Sequence, residues 1–391
     1  MARPLIQLAL DSLDFDTTLN LAEQTAPYID IFEIGTPCIK HNGIELVKAL
    51  RAKFADKLIL VDLKTMDAGE YEAEPFYAAG ADICTVLGVA GMATIGGVIK
   101  AAKKYASEVQ VDLINVPNKV ECALQAAQLG AHSIGVHTGL DAQALGQTPF
   151  ADLQAIAELG LKVRLSVAGG INGATVKQVV EAGANIIVVG AAIYGAASPA
   201  EAARDIRLAA EGKSVHQHRV VNKIHAVLSK TDDAHAMRLT RLLDNARRVF
   251  VSGAGRSGLI AKFFAMRLMH SGYDVSVVGE IVTPSIKRGD LLIIISGSGE
   301  TEQLIAFTKR AKEVGADIVL ISSKANSTIG DLALAVFQIG ESGQYTKVQG
   351  MPMGTVFELS TLFFLEAFVA HLIHEKGIEE EIMRERHANL E

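Results

Sequence analysis

Eight apolar runs of strand length follow one another through the first 210 residues, at Leu5–Asp11, Ile31–Thr36, Leu58–Lys64, Asp82–Leu87, Val109–Asn115, Ser133–Thr138, Val163–Ile171 and Ile186–Ala192. Stretches rich in Ala, Leu, Glu and Lys, of helical character, separate them. The runs are continuous rather than alternating, so both faces of each strand are expected to be buried, and the intervening amphipathic helices imply parallel crossovers. Eight such units predict a closed (β/α)₈ barrel of about 200 to 250 residues. An open, doubly wound sheet is the other reading of the same rhythm.

The chain has 391 residues, too many for one ordinary core and enough for two. Past the eighth unit, Glu211-Gly212-Lys213-Ser214-Val215-His216-Gln217-His218-Arg219 is polar and reads as a join. We therefore expect a barrel over residues 1–211, a linker over 212–219 and a second domain over 220–391. In that second domain, Val220–Leu228 and Ala234–Ala246 read as helices. Strand-like runs follow at Arg248–Ser252, Asp274–Val278, Leu291–Ser296, Asp317–Ser322 and Ala335–Gly340, each trailed by a helical stretch. Five strands alternating with helices predict an α/β/α sandwich on a parallel sheet, making the whole chain α/β.

Charge and cysteine usage narrow the function classes. Residues 1–210 carry 16 Lys+Arg against 23 Asp+Glu, and residues 211–391 carry 21 against 21, so neither half has the basic excess that nucleic acid requires. Cys38, Cys84 and Cys122 are too few and too scattered for a disulfide framework or a zinc site. No leader-like segment opens the chain, and Glu366 is expected to interrupt the apolar stretch 359–373, so a cytoplasmic protein without membrane contact is expected.

Barrel active sites are built where the strands end at their C-termini. The polar residues there are Asp11, Glu33, Asp62, Lys64, Asp67, Asn115, His137 and Thr138, joined by Gly169, Gly170 and Gly190. Asp62 and Lys64 are two apart on one strand, so both side chains are expected to face the barrel mouth. His137 titrates near neutrality and is the candidate proton-transfer group, while Lys64 suits a developing oxyanion. Ala168-Gly169-Gly170-Ile171 and Val189-Gly190-Ala191-Ala192 end the seventh and eighth runs with small residues, which lets backbone N–H groups approach an anion. The same glycines could also serve only as tight turns.

The signature Asp62-x-Lys64-x-x-Asp67 resembles that of the orotidine 5′-monophosphate decarboxylase superfamily, a family of TIM barrels. The resemblance covers residues 1–210, with Gln7-Leu8-Ala9-Leu10-Asp11, Glu33-Ile34-Gly35-Thr36-Pro37 and Ala168-Gly169-Gly170-Ile171 matching the branch of 3-keto-L-gulonate 6-phosphate decarboxylases and 3-hexulose-6-phosphate synthases. It implies that Glu33 and Asp62 hold Mg²⁺ or Mn²⁺, and that Asp67 reaches a neighbouring subunit's site in a homodimer. Asp11, Gly169, Gly170, Gly190 and Ala191 then contact the substrate and its phosphate. The decarboxylases carry an Arg two residues after the His, where this chain has Gly139, a departure that favours the synthase.

In the second half, Gly253-Ala254-Gly255-Arg256-Ser257-Gly258 lies between a strand and a helix and fits a weak dinucleotide pattern. A second loop, Ser296-Gly297-Ser298-Gly299-Glu300-Thr301, also follows a strand and opens a helix. Its hydroxyls and glycines form a cradle for phosphate rather than a nucleotide site. The two loops resemble the sugar isomerase (SIS) domain family over roughly 220–385, most closely the 6-phospho-3-hexuloisomerases. The resemblance implies that Ser252, Gly255, Arg256, Ser257, Ser296, Ser298 and Thr301 line a sugar-phosphate site and that Glu358 is the base. An isomerisation through a cis-enediol needs one base and one acid and no cofactor, and His270 is expected to assist from a neighbouring subunit, with this half building a higher homo-oligomer.

Together the two halves lead us to expect fixation of formaldehyde on ribulose 5-phosphate followed by isomerisation to fructose 6-phosphate. The rival expectation is a decarboxylase barrel joined to a phosphosugar sensor.

Overall fold

A computed structural model describes residues 3–231, 233–341 and 351–389. The chain divides into two compact units, Met1–Val215 and His216–Glu391. The boundary falls inside the stretch expected to be a linker. Residues from Val215 onward are not extended there, because they open the helix Val215–Leu228.

In the first unit, strands β1 (Leu5–Leu10), β2 (Ile31–Ile34), β3 (Leu58–Thr65), β4 (Ile83–Leu87), β5 (Glu108–Asp112), β6 (Ser133–His137), β7 (Arg164–Ala168) and β8 (Ile186–Val189) close in sequence order. All neighbours are parallel, and β1 pairs with both β2 and β8, which excludes the open sheet. The helices between them start where local chemistry predicts. Asp14 accepts the N–H of Thr17 at the head of Phe15–Thr25, and Asn118 accepts that of Glu121 at the head of Lys119–Leu129. Ser198 does the same for Pro199–Ala210, whose proline sits in the first turn, where no N–H is needed.

The barrel interior is layered. Ile31, Leu60, Ile83 and Ile186 seal the floor, each fully buried. Burial of such side chains contributes about 2 kcal/mol apiece. Above that plug the inward residues turn polar, with Gln7, Gln110 and Ser166 and then Glu33, Asp62 and Asp112 facing one cavity. The outer faces of the strands pack under the helix ring in a single core that includes Leu8, Phe32, Val61, Val111 and Val167.

In the second unit, β9 (Val249–Gly253), β10 (Val275–Val277), β11 (Leu291–Ile295), β12 (Asp317–Ser322) and β13 (Ala335–Gln338) form a parallel sheet in the order β10-β9-β11-β12-β13. Val251 and Ile293 bury one face against the helices Gly255–His270 and Thr355–Lys376, whereas Phe250, Ile294 and Leu320 bury the other. This two-sided burial explains why the strands read as unbroken apolar runs. The strand order reverses between β9 and β11, and ligands of such sheets bind at that switch point.

The helix Thr355–Lys376 runs through Glu366 without a break, contrary to the interruption expected there. Glu366 does not stop it because the carboxylate points off the core and pairs with Arg267 at 3.0 Å. Among the described residues it is the one helix long and apolar enough to cross a membrane, and 56% of its apolar window is buried inside the unit. That degree of burial is what a core helix shows.

Candidate functional sites

The barrel cavity, about 580 Å³, opens at the C-terminal ends of the strands and is lined by Asp11, Glu33, Asp62, Lys64, Asp112 and His137 among others. Strand β3 supplies two of these in an unusual way. Lys64 adopts φ 49°, in the left-handed region, and the pairing of β3 with β4 shifts register between Val61 and Thr65. This bulge turns the Lys64 side chain back onto its own strand, so that Nζ donates to Asp62 Oδ2 at 2.9 Å and to Asp112 Oδ2 at 2.8 Å. The expectation that Asp62 and Lys64 face the same mouth is met with this added twist of backbone.

Asp112 was not singled out in the sequence because the fifth run reads on to Asn115. The strand in fact stops at Asp112, and Asn115 lies beyond it at φ 58° outside the cavity lining. Asp112 Oδ2 lies 3.0 Å from His137 Nδ1, which places the imidazole hydrogen on Nδ1 and leaves Nε2 for other partners. Burial would raise the Asp112 carboxyl, but His137 and Lys64 outweigh it and hold it down to about 2. Burial would likewise lower His137, yet its hydrogen bond and attraction to Asp112 raise it. Lys64, opposed by burial, is raised by Asp62 and Asp112 and stays an ammonium.

Glu33 behaves differently. Burial and the neighbouring Asp62 push its carboxyl up to about 8, although Gln7 donates to it at 2.7 Å. Asp11 is raised for the same two reasons. Crowded, desolvated carboxylates of this kind invite a cation. Glu33 and Asp62 present hard oxygens suited to Mg²⁺ or Mn²⁺, and among the described residues no group of three or more His, Cys, Asp or Glu side chains forms a closed metal cage. Two carboxylates with the remaining positions left to water and substrate match the habit of magnesium, so the residues fit the ion.

Further polar groups reach the cavity: Gln7 and Thr36 lie within the segments that carry the family resemblance, and Ser166 lies in no motif. Gln7 Oε1 and Ser166 Oγ are buried with no hydrogen-bond partner among the described residues, and both residues line the cavity. Thr36 donates to Asp62 Oδ2 at 2.6 Å. For Gln7 and Ser166 the strand-interior position is itself a sequence signal, since inward residues of a barrel alternate with outward ones, whereas Thr36 opens the helix Thr36–Lys53. At the opposite wall, Gly169 and Gly170 have φ 120° and 70°, and a Cβ at Gly169 would come within 2.7 Å of the Thr138 carbonyl oxygen. With Gly190 and Ala191, at the head of the short helix Ala191–Tyr194, they line the corner where a phosphate was expected. Asp67 is exposed, accepts the N–H of Ala68 and does not line its own chain's cavity.

In the second unit, the loops after β9 and β11 flank the switch point. Ser252, Ser257 and Ser296 are buried at these strand ends, and Gly253 and Gly258 approach so closely that a Cβ on either would lie under 3.0 Å from backbone atoms of the other's segment. Ser296 Oγ accepts the N–H of Gly299, and Ser298 Oγ accepts that of Glu300, which leaves both hydroxyl hydrogens to donate elsewhere. Thr301 is the N-terminal cap position of the helix Glu302–Glu313. Glu358, buried near the start of Thr355–Lys376, is raised by burial and partly restored by Arg256, whose Nε lies 2.6 Å from Glu358 Oε2. Arg256 and Gly255 are exposed, so Arg256 meets the candidate base directly at the surface of the site.

His270 lies at the far end of the helix that starts at Gly255, about 22 Å along the axis from that loop. It stacks on His387, with ring centroids 5.2 Å apart, and is lowered by burial, His387 and Arg267. Within one chain the structure does not bring it to Glu358 or to the serine loops.

These two sites define a class: a two-domain α/β enzyme for phosphorylated sugars, with an acid-lysine-histidine barrel and a serine-loop sandwich. The chain belongs to the orotidine 5′-phosphate decarboxylase / HUMPS family over residues 4–206 and carries an SIS domain over residues 242–370. Over 202 residues it is 67% identical to a 3-hexulose-6-phosphate synthase of Methylomonas aminofaciens, an alignment covering 52% of this chain and 97% of that protein. Over a further 178 residues it is 52% identical to a 3-hexulose-6-phosphate isomerase of the same organism, covering 45% of this chain and 98% of the relative. Among solved structures, a 3-hexulose-6-phosphate synthase from Salmonella typhimurium is similar, at 38% identity and a TM-score of 0.52, covering 54% of this chain and all of that one. The chain is thus a fusion of a synthase-type barrel and an isomerase-type SIS domain.

Proposed function

We propose that the chain is a bifunctional enzyme that condenses formaldehyde with D-ribulose 5-phosphate to D-arabino-hex-3-ulose 6-phosphate and then isomerises that product to D-fructose 6-phosphate. The observation that carries the reading is the near-complete coverage of a synthase and an isomerase in one chain. The polar cavity at the strand ends supports it.

In the barrel, His137 takes the proton from C1 of ribulose 5-phosphate, with Asp112 holding Nδ1 and stabilising the imidazolium that forms. Lys64, kept charged by Asp62 and Asp112, stabilises the oxyanion of the enediolate. Glu33 and Asp62 would hold a Mg²⁺ or Mn²⁺ ion, which when bound supplies Lewis-acid stabilisation of vicinal sugar oxygens. The C1–carbon bond to formaldehyde forms as the carbonyl electron pair moves to oxygen, and that oxygen collects the proton stored on His137. Asp11, Gly169, Gly170, Gly190 and Ala191 hold the sugar and its phosphate, so that specificity resides in the larger substrate.

In the SIS domain, Glu358 shuttles a proton across a cis-enediol between C2 and C3, and its raised carboxyl is matched to that task. Ser252, Ser257, Ser296, Ser298 and Thr301 bind the phosphate, with Gly255 and Arg256 at its edge. Asp67 completes the site of a second barrel in a homodimer, His270 serves a neighbouring SIS domain, and the enzyme works in the cytoplasm.

The test is an assay of the full chain with formaldehyde and ribulose 5-phosphate, with and without a chelator. Formation of fructose 6-phosphate, with chelation stopping the first step and sparing the second, is the expected result. Release of CO₂ from 3-keto-L-gulonate 6-phosphate without condensation would overturn the barrel's assignment.

A further inference from the structure

Thr85, on β4, is buried and does not line the cavity. Its surroundings are set by the irregular pairing of β3. The two strands are in register at Leu60↔Ile83 and Val61↔Cys84 and meet again at Thr65↔Val86. Thr85 therefore stands alone opposite Asp62, Leu63 and Lys64, where an ordinary ladder would pair residues one to one. The Lys64 N–H, turned aside by φ 49°, donates to Thr85 Oγ1 at 2.9 Å. The same hydroxyl spends its single hydrogen on Asp62 Oδ1 at 2.8 Å.

We propose that Thr85 is a positioning residue for the condensation step: its one hydroxyl clamps the backbone of Lys64 in the left-handed region and fixes the carboxylate of Asp62. A lysine in that region is disfavoured unless its neighbours over-determine it. A hydroxyl can replace a strand carbonyl as acceptor and still donate, which neither a carbonyl nor an aliphatic side chain can do. By holding both ends of the Asp62–Lys64 pair, Thr85 sets the distance between the group that stabilises the oxyanion and a carboxylate proposed to hold the metal. The inference rests on the synthase reading of the barrel.

Thr85→Val keeps the shape and removes the hydroxyl, whereas Thr85→Ser keeps the hydroxyl. The expected result is a fall in synthase kcat of about 10²-fold for Thr85→Val, with KM for ribulose 5-phosphate within about threefold of wild type, as misplacement of a catalytic group by about 1 Å would produce. Thr85→Ser is expected to recover all but about threefold of that loss. Isomerase activity of the same preparations reports on protein quality, and Thr85→Ala serves if Thr85→Val does not fold. Synthase kcat within threefold of wild type in the hydroxyl-free variant, or an equal loss in Thr85→Ser, would overturn the proposal. A crystal structure of the hydroxyl-free variant gives a readout independent of turnover: Lys64 should leave positive φ or lose its contact with Asp62. If the wild-type chain makes no hexulose phosphate, the synthase reading fails on its own. The clamp is then judged by that crystal structure, and an unmoved Lys64 would refute it.

Discussion

Asp112 Oδ2 bridges two cavity residues, lying 3.0 Å from His137 Nδ1 and 2.8 Å from Lys64 Nζ. One buried carboxylate thus fixes the imidazole tautomer and neutralises the ammonium beside it. Its own low value, about 2, reflects those two partners winning over burial. His137 and Lys64, the proposed proton-transfer group and oxyanion stabiliser, share a single anchor.

Replacing Asp112 by Asn removes the charge and keeps the shape. His137, raised in the wild type by Asp112, then falls, because burial and the Lys64 charge both disfavour the imidazolium and outweigh the remaining pull of Asp62. A base must be unprotonated, so the acid limb of the synthase pH profile should move to lower pH in Asp112→Asn, with kcat down by about 10²-fold or more. The imidazole proton resonances followed by NMR titration give His137 directly. A His137 titration unchanged from wild type would contradict the anchor.

Glu33 carries a pH signature of its own. A carboxyl raised from 4.5 to about 8 in the fold is fully tolerated below the unfolded value and erodes stability as pH rises through the interval between them. Without metal, the barrel should lose on the order of a few kcal/mol between pH 5 and 8, at about 1.4 kcal/mol per unit. Glu33→Gln should flatten that slope and abolish stabilisation by magnesium. Thermal melts of both proteins in EDTA and in excess magnesium check it, and identical slopes would refute it.

Glu358→Gln should reduce isomerisation by about 10³-fold, within the range of a lost general base, and leave condensation intact. Arg256→Ala removes the group that lowers Glu358. Its carboxyl then rises further, and the acid limb of the isomerase profile should shift to higher pH. Feeding hexulose 6-phosphate to each variant across a pH series separates the outcomes, and full activity in Glu358→Gln would assign the base elsewhere.

Gly299 sits at φ 67°, and a Cβ there would lie 2.1 Å from Ser327 Oγ. Gly299→Ala should destabilise the SIS domain by about 1–3 kcal/mol. Isomerase activity should therefore be lost at lower temperature while synthase activity decays as in the wild type. Parallel loss of both activities would argue against a local effect.

The division of labour between sequence and structure shows in particular residues. The eight and five strand runs, the Asp62-x-Lys64-x-x-Asp67 signature and the serine loops were legible because strand burial, turn chemistry and catalytic spacing are local properties of the chain. The parts played by Asp112, Thr85 and Gln7 were not, since each matters through a partner 20 or more residues away: Lys64 to Asp112, Lys64 to Thr85, Glu33 to Gln7; that of Ser166 was not, since only closure of the barrel turns its side chain into the cavity. Closure of the barrel rather than an open sheet rested on the β1–β8 pairing, a contact between the two ends of the unit. The sequence by itself determined which side chains could do chemistry and on which elements they ride. Only tertiary structure decided which of them meet, because the bulge in β3, the end of β5 and the pKa of each buried group depend on neighbours that folding brings in from distant strands.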